Sequence, residues 1–431
     1  KPFSGAPARH SRSGQAKVRS YEIDLKLGGQ TFQEIAKQRS MNGLLENGFE
    51  TMTFELPHTQ AVSFTVAKSG FANHHYVGTS TVRGSPTDAY FMVDEVTGHF
   101  AGSMSHEDGS IYSILTRPDG STWVSFIPAD ERLEEEHMHM PDDVKDEYDD
   151  SRVRAERRPG DNPPVGESDY APRDDPGVID VMVVYTEEAM CEAAGVALSS
   201  CNQASHKSTI EGQINLAVAN NNVGLANSNT GTSLNLVHQD MVDYTESGDL
   251  STDLDRFRTD GDGHMDTVHT HRDTHKADIV ALITANGSGI GYVGASKANM
   301  FSITNWGYIP GHTFAHELGH NWGCYHNRAN SNTQVNYAHG YQSPDETFRT
   351  ILAYNCANSY CPRVNWYSSS DTSITYQNKA IGDNVNDCAR KIRERRQTVT
   401  DFYEGGNSAP APVVPGTPAP VPAPGTCTDI A

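Results

Sequence analysis

The chain has 431 residues, 55 Asp or Glu against 33 Lys or Arg, and a formal net charge of −22. That length accommodates two or three domains, and the charge argues against nucleic acid or an anionic membrane surface as partner. No run of about 18 consecutive apolar residues is present, which argues against a membrane-spanning helix.

The chain starts at Lys1 without an apolar leader, so a secretory signal segment is expected to have been removed or left off. Residues 1–20 are polar and basic and read as a loose end. From 21 to 128 apolar and polar residues alternate in the β manner, as in Tyr21-Glu-Ile-Asp-Leu-Lys-Leu27, Thr51-Met-Thr-Phe-Glu-Leu56, Ala61-Val-Ser-Phe-Thr-Val66 and Ala89-Tyr-Phe-Met-Val93. Turn signals at Glu107-Asp-Gly109 and Pro118-Asp-Gly120 separate such runs. Residues 1–128 are therefore predicted to form an antiparallel all-β domain without clustered catalytic groups.

An acidic linker follows over 129–177. Residues 129–176 carry 17 acidic against 7 basic residues, a net of −10, and such runs are commonly solvated. Within it, Arg154 and Arg157 of Arg152-Val-Arg-Ala-Glu-Arg-Arg158 have the spacing of a proprotein convertase site in an exposed segment. The competing reading is a solvated basic patch.

A second domain is predicted over 178–404. Val178–Tyr185 reads as a buried first strand, 208–222 as an amphipathic helix, Ser233–His238 as a strand, and Asp249–His275 as a helix interrupted at Gly261-Asp-Gly263. Asp278–Ile283 is a continuous apolar strand. The order β-α-β-α-β predicts a sheet backed by helices. Gly289-Ile290-Gly291-Tyr292 reads as a sheet edge or as a Gly-rich turn.

The richest stretch is His316-Glu-Leu-Gly-His-Asn-Trp-Gly-Cys-Tyr-His326. His316 and His320, four apart on a helix, project from one face. Glu317 stands beside the first, placed to handle the proton of a metal-activated water. Gly323 allows a sharp exit from the helix, and His326 can return as a third ligand. Three imidazoles with one open position describe a catalytic zinc site.

Other features are less specific. Asp260-Gly-Asp-Gly-His-Met-Asp266 offers carboxylates to calcium, without EF-hand spacing, or to helix capping. His264, His269, His271 and His275 lie too far apart in sequence for one tight site and read mainly as solvent-facing. Asn286-Gly-Ser288 is a glycosylation sequon. All seven cysteines lie from Cys191 onward and carry no C-x-x-C pair, so disulfides in an oxidising compartment are expected. Proximity in sequence favours Cys191–Cys201 and Cys356–Cys361, which leaves Cys324 for Cys388 and Cys427 odd. Residues 405–431 form a Pro-rich linker ending near Cys427, expected to lead into a truncated C-terminal module.

The extended H-E-x-x-H-x-x-G-x-x-H resembles the metzincin zinc metallopeptidases, and the chain over about 178–403 resembles their reprolysin-like (adamalysin-like) branch. The resemblance implies an α/β (α+β) catalytic domain, with a twisted, mostly parallel sheet, an antiparallel edge strand and a zinc helix. It also implies a Met-turn, for which Thr350-Ile-Leu-Ala-Tyr354 is similar to the family's T-I-M-A-Y. Leu352 stands where Met is expected, a swap of similar volume. Tyr354 has the offset at which some metzincins carry an oxyanion-stabilising or zinc-binding Tyr, against the alternative of a core Tyr. The family offers its edge strand to an extended peptide, which here implies Gly289–Tyr292.

Thr81-Val-Arg-Gly-Ser85, Gly98-His-Phe-Ala-Gly102 and Asp108-Gly-Ser-Ile-Tyr112 resemble reprolysin-like propeptides. An unrelated β-sandwich binding module is the alternative. The implied activity is a secreted zinc endopeptidase proenzyme acting on protein substrates, with its own propeptide as inhibitor. The other class kept open is a catalytically weak zinc-binding adhesion or matrix module. No cysteine precedes Cys191, so a cysteine switch is excluded. His137, His139 or the surrounding acids are candidate blocking ligands, and steric cover is the simpler option.

Overall fold

The computed structural model describes residues 177–331 and 337–403 and, N-terminal to them, residues 19–22, 26–27, 30–31, 50–54, 62–69, 75–79, 86–93, 99–106 and 108–129. Arg154, Arg157, His137, His139, Cys427 and the Pro-rich segment from 405 lie outside the described residues.

The N-terminal strands are β1 (Arg19–Glu22), β2 (Lys26–Leu27), β3 (Gln30–Thr31), β4 (Glu50–Phe54), β5 (Val62–Lys68), β6 (His75–Thr79), β7 (Pro86–Val93), β8 (Phe100–His106), β9 (Ile111–Thr116) and β10 (Thr122–Ile127). They form one sheet in the order β1-β10-β9-β8-β7-β6-β5-β4-β2-β3, and the paired strands run antiparallel. The Asp-Gly signals close two of its hairpins. The amide of Gly109 donates to the His106 carbonyl at 2.9 Å, and that of Gly120 to the Arg117 carbonyl at 2.8 Å.

The second unit is built on five strands: β11 (Gly177–Tyr185), β12 (Thr232–Met241), β13 (Ile279–Thr284), β14 (Gly289–Gly291) and β15 (Phe301–Asn305). Their order is β12-β11-β13-β15-β14, parallel throughout except for the antiparallel β14. Every residue of β13 is buried, as an unbroken apolar run with both faces covered requires. The helices are α1 (Glu187–Ala194), α2 (Gln203–Asn227), α3 (Leu250–Arg258), α4 (Thr267–His275), α5 (Thr313–Asn321) and α6 (Cys388–Thr400). A small hairpin pairs Thr375–Tyr376 with Lys379–Ala380. None of the described helices is long and apolar enough to cross a membrane.

Helix α2 is longer than its apolar periodicity predicts. The run Asn220-Asn221-Asn222 reads as an end, yet all three are buried inside the helix. Each finds a partner there. Asn222 exchanges two bonds with the backbone of Leu234, Asn221 accepts from the Tyr367 hydroxyl, and Asn220 donates to Ser103. Buried amides cost little when satisfied in this way. The helix is covered on two sides, by the N-terminal sheet and by β12 and α5.

That sandwich joins the two sheets through one continuous core. Tyr90, Ala101 and Leu115 pack with Ile210, Ile214 and the central strands. Polar bonds set the register. Gln213 donates to Ser113 and to the Trp306 carbonyl, Thr209 to the Thr116 carbonyl, and Ser105 to the Pro310 carbonyl just before α5. At the centre, fully buried His75 donates from Nε2 to Asn220 Oδ1 at 2.9 Å and accepts at Nδ1 from Ser69 at 2.5 Å. Its ring stacks on Tyr90, and Tyr90 meets His312 edge-on.

Burial lowers the His75 pKa to about 4, against the bond to Asn220, which favours the charged form. In the unfolded chain the imidazole titrates near 6.5, so it takes up its proton at a higher pH unfolded than folded. Its contribution to stability is thus complete above about pH 6.5 and lost as pH falls toward about 4. Urea denaturation should show a loss of about 3 kcal/mol from this group between about pH 7 and about pH 4. His75→Gln should remove most of that acid-induced drop; an equal drop in both proteins would refute the assignment.

Candidate active site

Helix α5 starts in a constrained way. His312, the residue before its first turn, has φ 63°, a left-handed value that costs a non-glycine residue on the order of 1 kcal/mol. The helix ends at Gly323, where φ is 92° and a side chain would be strained. The amides of Gly323 and Cys324 close the end on the carbonyls of His320 and Gly319. The chain then reverses, and His326 faces the helix it has just left.

The result is a triangle. The Nε2 atoms of His316, His320 and His326 lie 3.1 Å apart in all three pairs. All three side chains are buried. His316 Nδ1 lies 2.8 Å from the Ile351 carbonyl and His320 Nδ1 2.8 Å from the Cys324 carbonyl. Carbonyl oxygens only accept, so each of these Nδ1 atoms carries the proton and each Nε2 presents a lone pair. Tetrahedral zinc with Zn–N of about 2.0–2.1 Å sets its nitrogens about 3.3 Å apart. The residues therefore fit a three-imidazole zinc centre. Among the described residues this is the only His, Cys, Asp or Glu trio with its ligand atoms converged within 4.8 Å.

Glu317 is fully buried beside the trio. Its carboxylate lies against the end strand β14. A Cβ on Gly289 would stand 2.5 Å from Glu317 Oε1, and one on Gly291 would stand 3.3 Å from Oε2 and 2.9 Å from the Glu317 carbonyl oxygen. Glycine is needed at both positions for this approach. β14 is last in the sheet order, yet Gly289, Ile290, Gly291 and Tyr292 are all buried.

Beneath the helix, Leu352 fills the place expected of the Met-turn methionine. It is fully buried, and a Cβ on Gly319 would meet its Cδ2 at 2.7 Å. The preceding carbonyl, that of Ile351, is the one that orients His316. Half-buried Tyr354 places its ring centroid 3.9 Å from that of His326.

Sequence reasoning missed the groups that hold this assembly. The Tyr367 hydroxyl lies within hydrogen-bond reach of the Ala315 carbonyl (2.8 Å) and of Asn221 on α2 (2.9 Å). Asn321 ties the carbonyls of Tyr292 and Phe301 to the helix, and His339 Nδ1 bonds the His326 carbonyl. Asn321 was legible as a polar neighbour of His320; Tyr367 carried no signal of its own.

Other expectations fare differently. Cys191–Cys201 and Cys356–Cys361 are bonded. Cys324 and Cys388 are buried free thiols instead of a disulfide. Cys324 donates to the Cys388 carbonyl and Cys388 to that of Ala338, which satisfies both without a bond. Burial pushes the Cys324 thiol well up.

Calcium is not supported. Asp266 accepts from the amides of Gly261 and Gly263, and Asp262 from that of His264, so these carboxylates close a turn. Asn286 is also unlike an open acceptor: its amide is half-buried and bonded to Glu246. His264 and His269 pack separately, against Tyr244 and Phe301.

A helix with two imidazoles and a carboxylate, turned at glycine onto a third imidazole, defines a metallopeptidase site. The family profile described as "Metallo-peptidase family M12B Reprolysin-like" matches residues 211–327, which contain all four groups. A peptidyl-Asp metalloendopeptidase of Stenotrophomonas maltophilia is 32% identical over 338 residues, 75% of this chain and 73% of that protein. Proteins of the same name from Xanthomonas campestris (35% over 214 residues, 48% of this chain and 47% of the relative) and Pseudomonas fragi (36% over 154 residues, 35% and 83%) are also similar. The chain belongs to the reprolysin-like metallopeptidases and is a zinc metalloendopeptidase.

Gly289→Ala should displace the Glu317 carboxylate without touching a ligand. We expect casein hydrolysis to fall by about a hundredfold, with zinc content unchanged by atomic emission. Wild-type activity in this variant would show that the Glu317–Gly289 approach is dispensable.

Proposed function

We propose that the chain is a secreted proenzyme, with His316, His320 and His326 as zinc ligands and Glu317 as general base. The observation that carries this is the triangle of Nε2 atoms 3.1 Å apart with a buried carboxylate beside it. Bound zinc supplies Lewis acidity, lowering the pKa of water toward neutrality and polarising a carbonyl. Glu317 takes a proton from the attacking water and delivers it to the departing amine. Tyr354 is the proposed donor to the developing oxyanion, a role its packing on His326 supports.

The substrate is an extended polypeptide adding antiparallel to Gly289–Tyr292. The relatives' name, peptidyl-Asp metalloendopeptidase, supports Asp at the scissile bond. Latency comes from steric cover that ends on cleavage after Arg157. Residues 1–190 carry no thiol for a cysteine switch, which favours steric cover over that ligand. Secretion agrees with the two disulfides.

Glu317→Gln should lower kcat by at least about a thousandfold while the protein retains the zinc content of the wild type. The test is a casein assay and metal analysis on chains cut after Arg157. Equal activity in both proteins would sink the mechanism. Peptide-library profiling of the cut wild type should show scissile bonds enriched in Asp; a profile indifferent to Asp would refute the substrate assignment alone.

A further inference from the structure

Glu246 is a carboxylate that the zinc-facing cluster does not use, and it is only 9% exposed. It lies between β12 and α3 and bonds the residues just past the carboxyl ends of β11 and β13, the side of an open parallel sheet where ligand sites form. Its Oε1 accepts from the Thr186 hydroxyl at 2.6 Å and from the Ala285 amide at 2.7 Å. Its Oε2 accepts from the Asn286 backbone amide at 2.9 Å and from the Asn286 side-chain amide. Burial raises the pKa of this carboxyl, and the bonds from Thr186, Ala285 and Asn286 oppose the rise. Asn305 on β15 holds the other side of the same loop. Its Nδ2 donates to the carbonyls of Ala285 at 2.6 Å and Gly287 at 3.0 Å, and its backbone amide to that of Ser288 at 2.8 Å. The next residue is Gly289, where β14 begins and where a Cβ would stand 2.5 Å from Glu317 Oε1. β14 is three residues long, last in the sheet, and joined to β15 through three residue pairs. So short a ladder is marginal by itself, and the placement of β14 falls to the loop that feeds it.

We propose that Glu246 is a positioning residue for peptide hydrolysis: it clamps residues 285–288 and so sets β14 against Glu317 and against the incoming substrate strand. The inference rests on the reading of Glu317 as general base and of Gly289–Tyr292 as the edge that takes the substrate. A carboxylate is needed for a chemical reason. Its four partners are all donors, and an ionised carboxyl offers two acceptor oxygens, whereas Gln offers one oxygen and turns an NH2 group toward a donor. Burying a charge is costly unless hydrogen bonds surround it, and here those bonds converge on one loop. Strand addition needs the amides and carbonyls of Gly289–Tyr292 in line with the peptide. A tilt of β14 breaks that alignment, so the loss falls on substrate binding. The zinc ligands are held from elsewhere, by the Ile351 and Cys324 carbonyls.

The test measures kcat and KM of the zinc-loaded chain, cut after Arg157, on two peptides built on one cleavage site mapped in casein. One has about eight residues and the other about four, so that the shorter reaches little of β14. Glu246→Gln should raise KM for the longer peptide by about tenfold with kcat within about twofold, and leave kcat/KM for the shorter within about twofold. A merely structural defect lowers the amount of active protein and so lowers kcat on both peptides alike. Glu317→Gln, run alongside, should lower kcat on both, so the general base and the clamp leave different patterns. Circular dichroism and metal analysis establish that each variant is folded and loaded. An unchanged KM for the longer peptide, or an equal loss on both, would overturn the proposal. Should Glu246→Gln not fold, Asn286→Ala decides, since it removes only the side-chain donor to Oε2. It should raise KM for the longer peptide alone by about threefold, and the absence of that rise would overturn the proposal.

Discussion

The site depends on two hydrogen bonds that involve no metal. His316 and His320 each give their Nδ1 proton to a backbone carbonyl, that of Ile351 and that of Cys324. Those bonds choose the tautomer and hold the rings, so two Nε2 lone pairs are driven toward the same point, where His326 adds a third. Three lone pairs 3.1 Å apart repel one another without a cation between them. That convergence suits a bound cation, and the surrounding structure must be stiff enough to keep the rings from turning away.

The stiffness comes from both ends of the chain's second unit. The Ile351 carbonyl is held in a turn packed by Leu352 under Gly319, and the Cys324 carbonyl by the Gly323 reversal. Tyr367 links Ala315 on the zinc helix to Asn221 on α2. Asn321 fastens the same helix to β15 and to Tyr292 beyond β14. Leu352 is fully buried there and fills the space under Gly319.

Residues 316–326 were legible almost completely, since helical period, a left-handed glycine and three imidazoles are local properties of spacing. The parallel strands were legible as apolar runs, and the break between α3 and α4 as Gly261-Asp-Gly263. What was not legible depended on partners distant in sequence. The length of α2 turned on whether three successive asparagines found acceptors and donors in β8, β12 and Tyr367. Cys324 and Cys388, paired by elimination in the sequence, are free thiols that each donate to a backbone carbonyl. His271 and His275 looked solvent-facing because His238, whose ring packs on both, lies 33 positions before His271.

The buried polar contacts between the two sheets bear on how the site is assembled. Apolar contact alone would let the N-terminal sheet slide over α2, whereas His75–Asn220, Asn220–Ser103 and Gln213–Ser113 each have one acceptable register. Asn365 joins this cluster to Tyr90, and Tyr90 packs on His312, the strained residue that starts the zinc helix. Ser105 holds the carbonyl of Pro310 in the turn before it. The N-terminal sheet therefore supports the one backbone position of α5 that its own sequence disfavours. The Nδ1 bonds and the Leu352 packing, by contrast, are made wholly within the second unit.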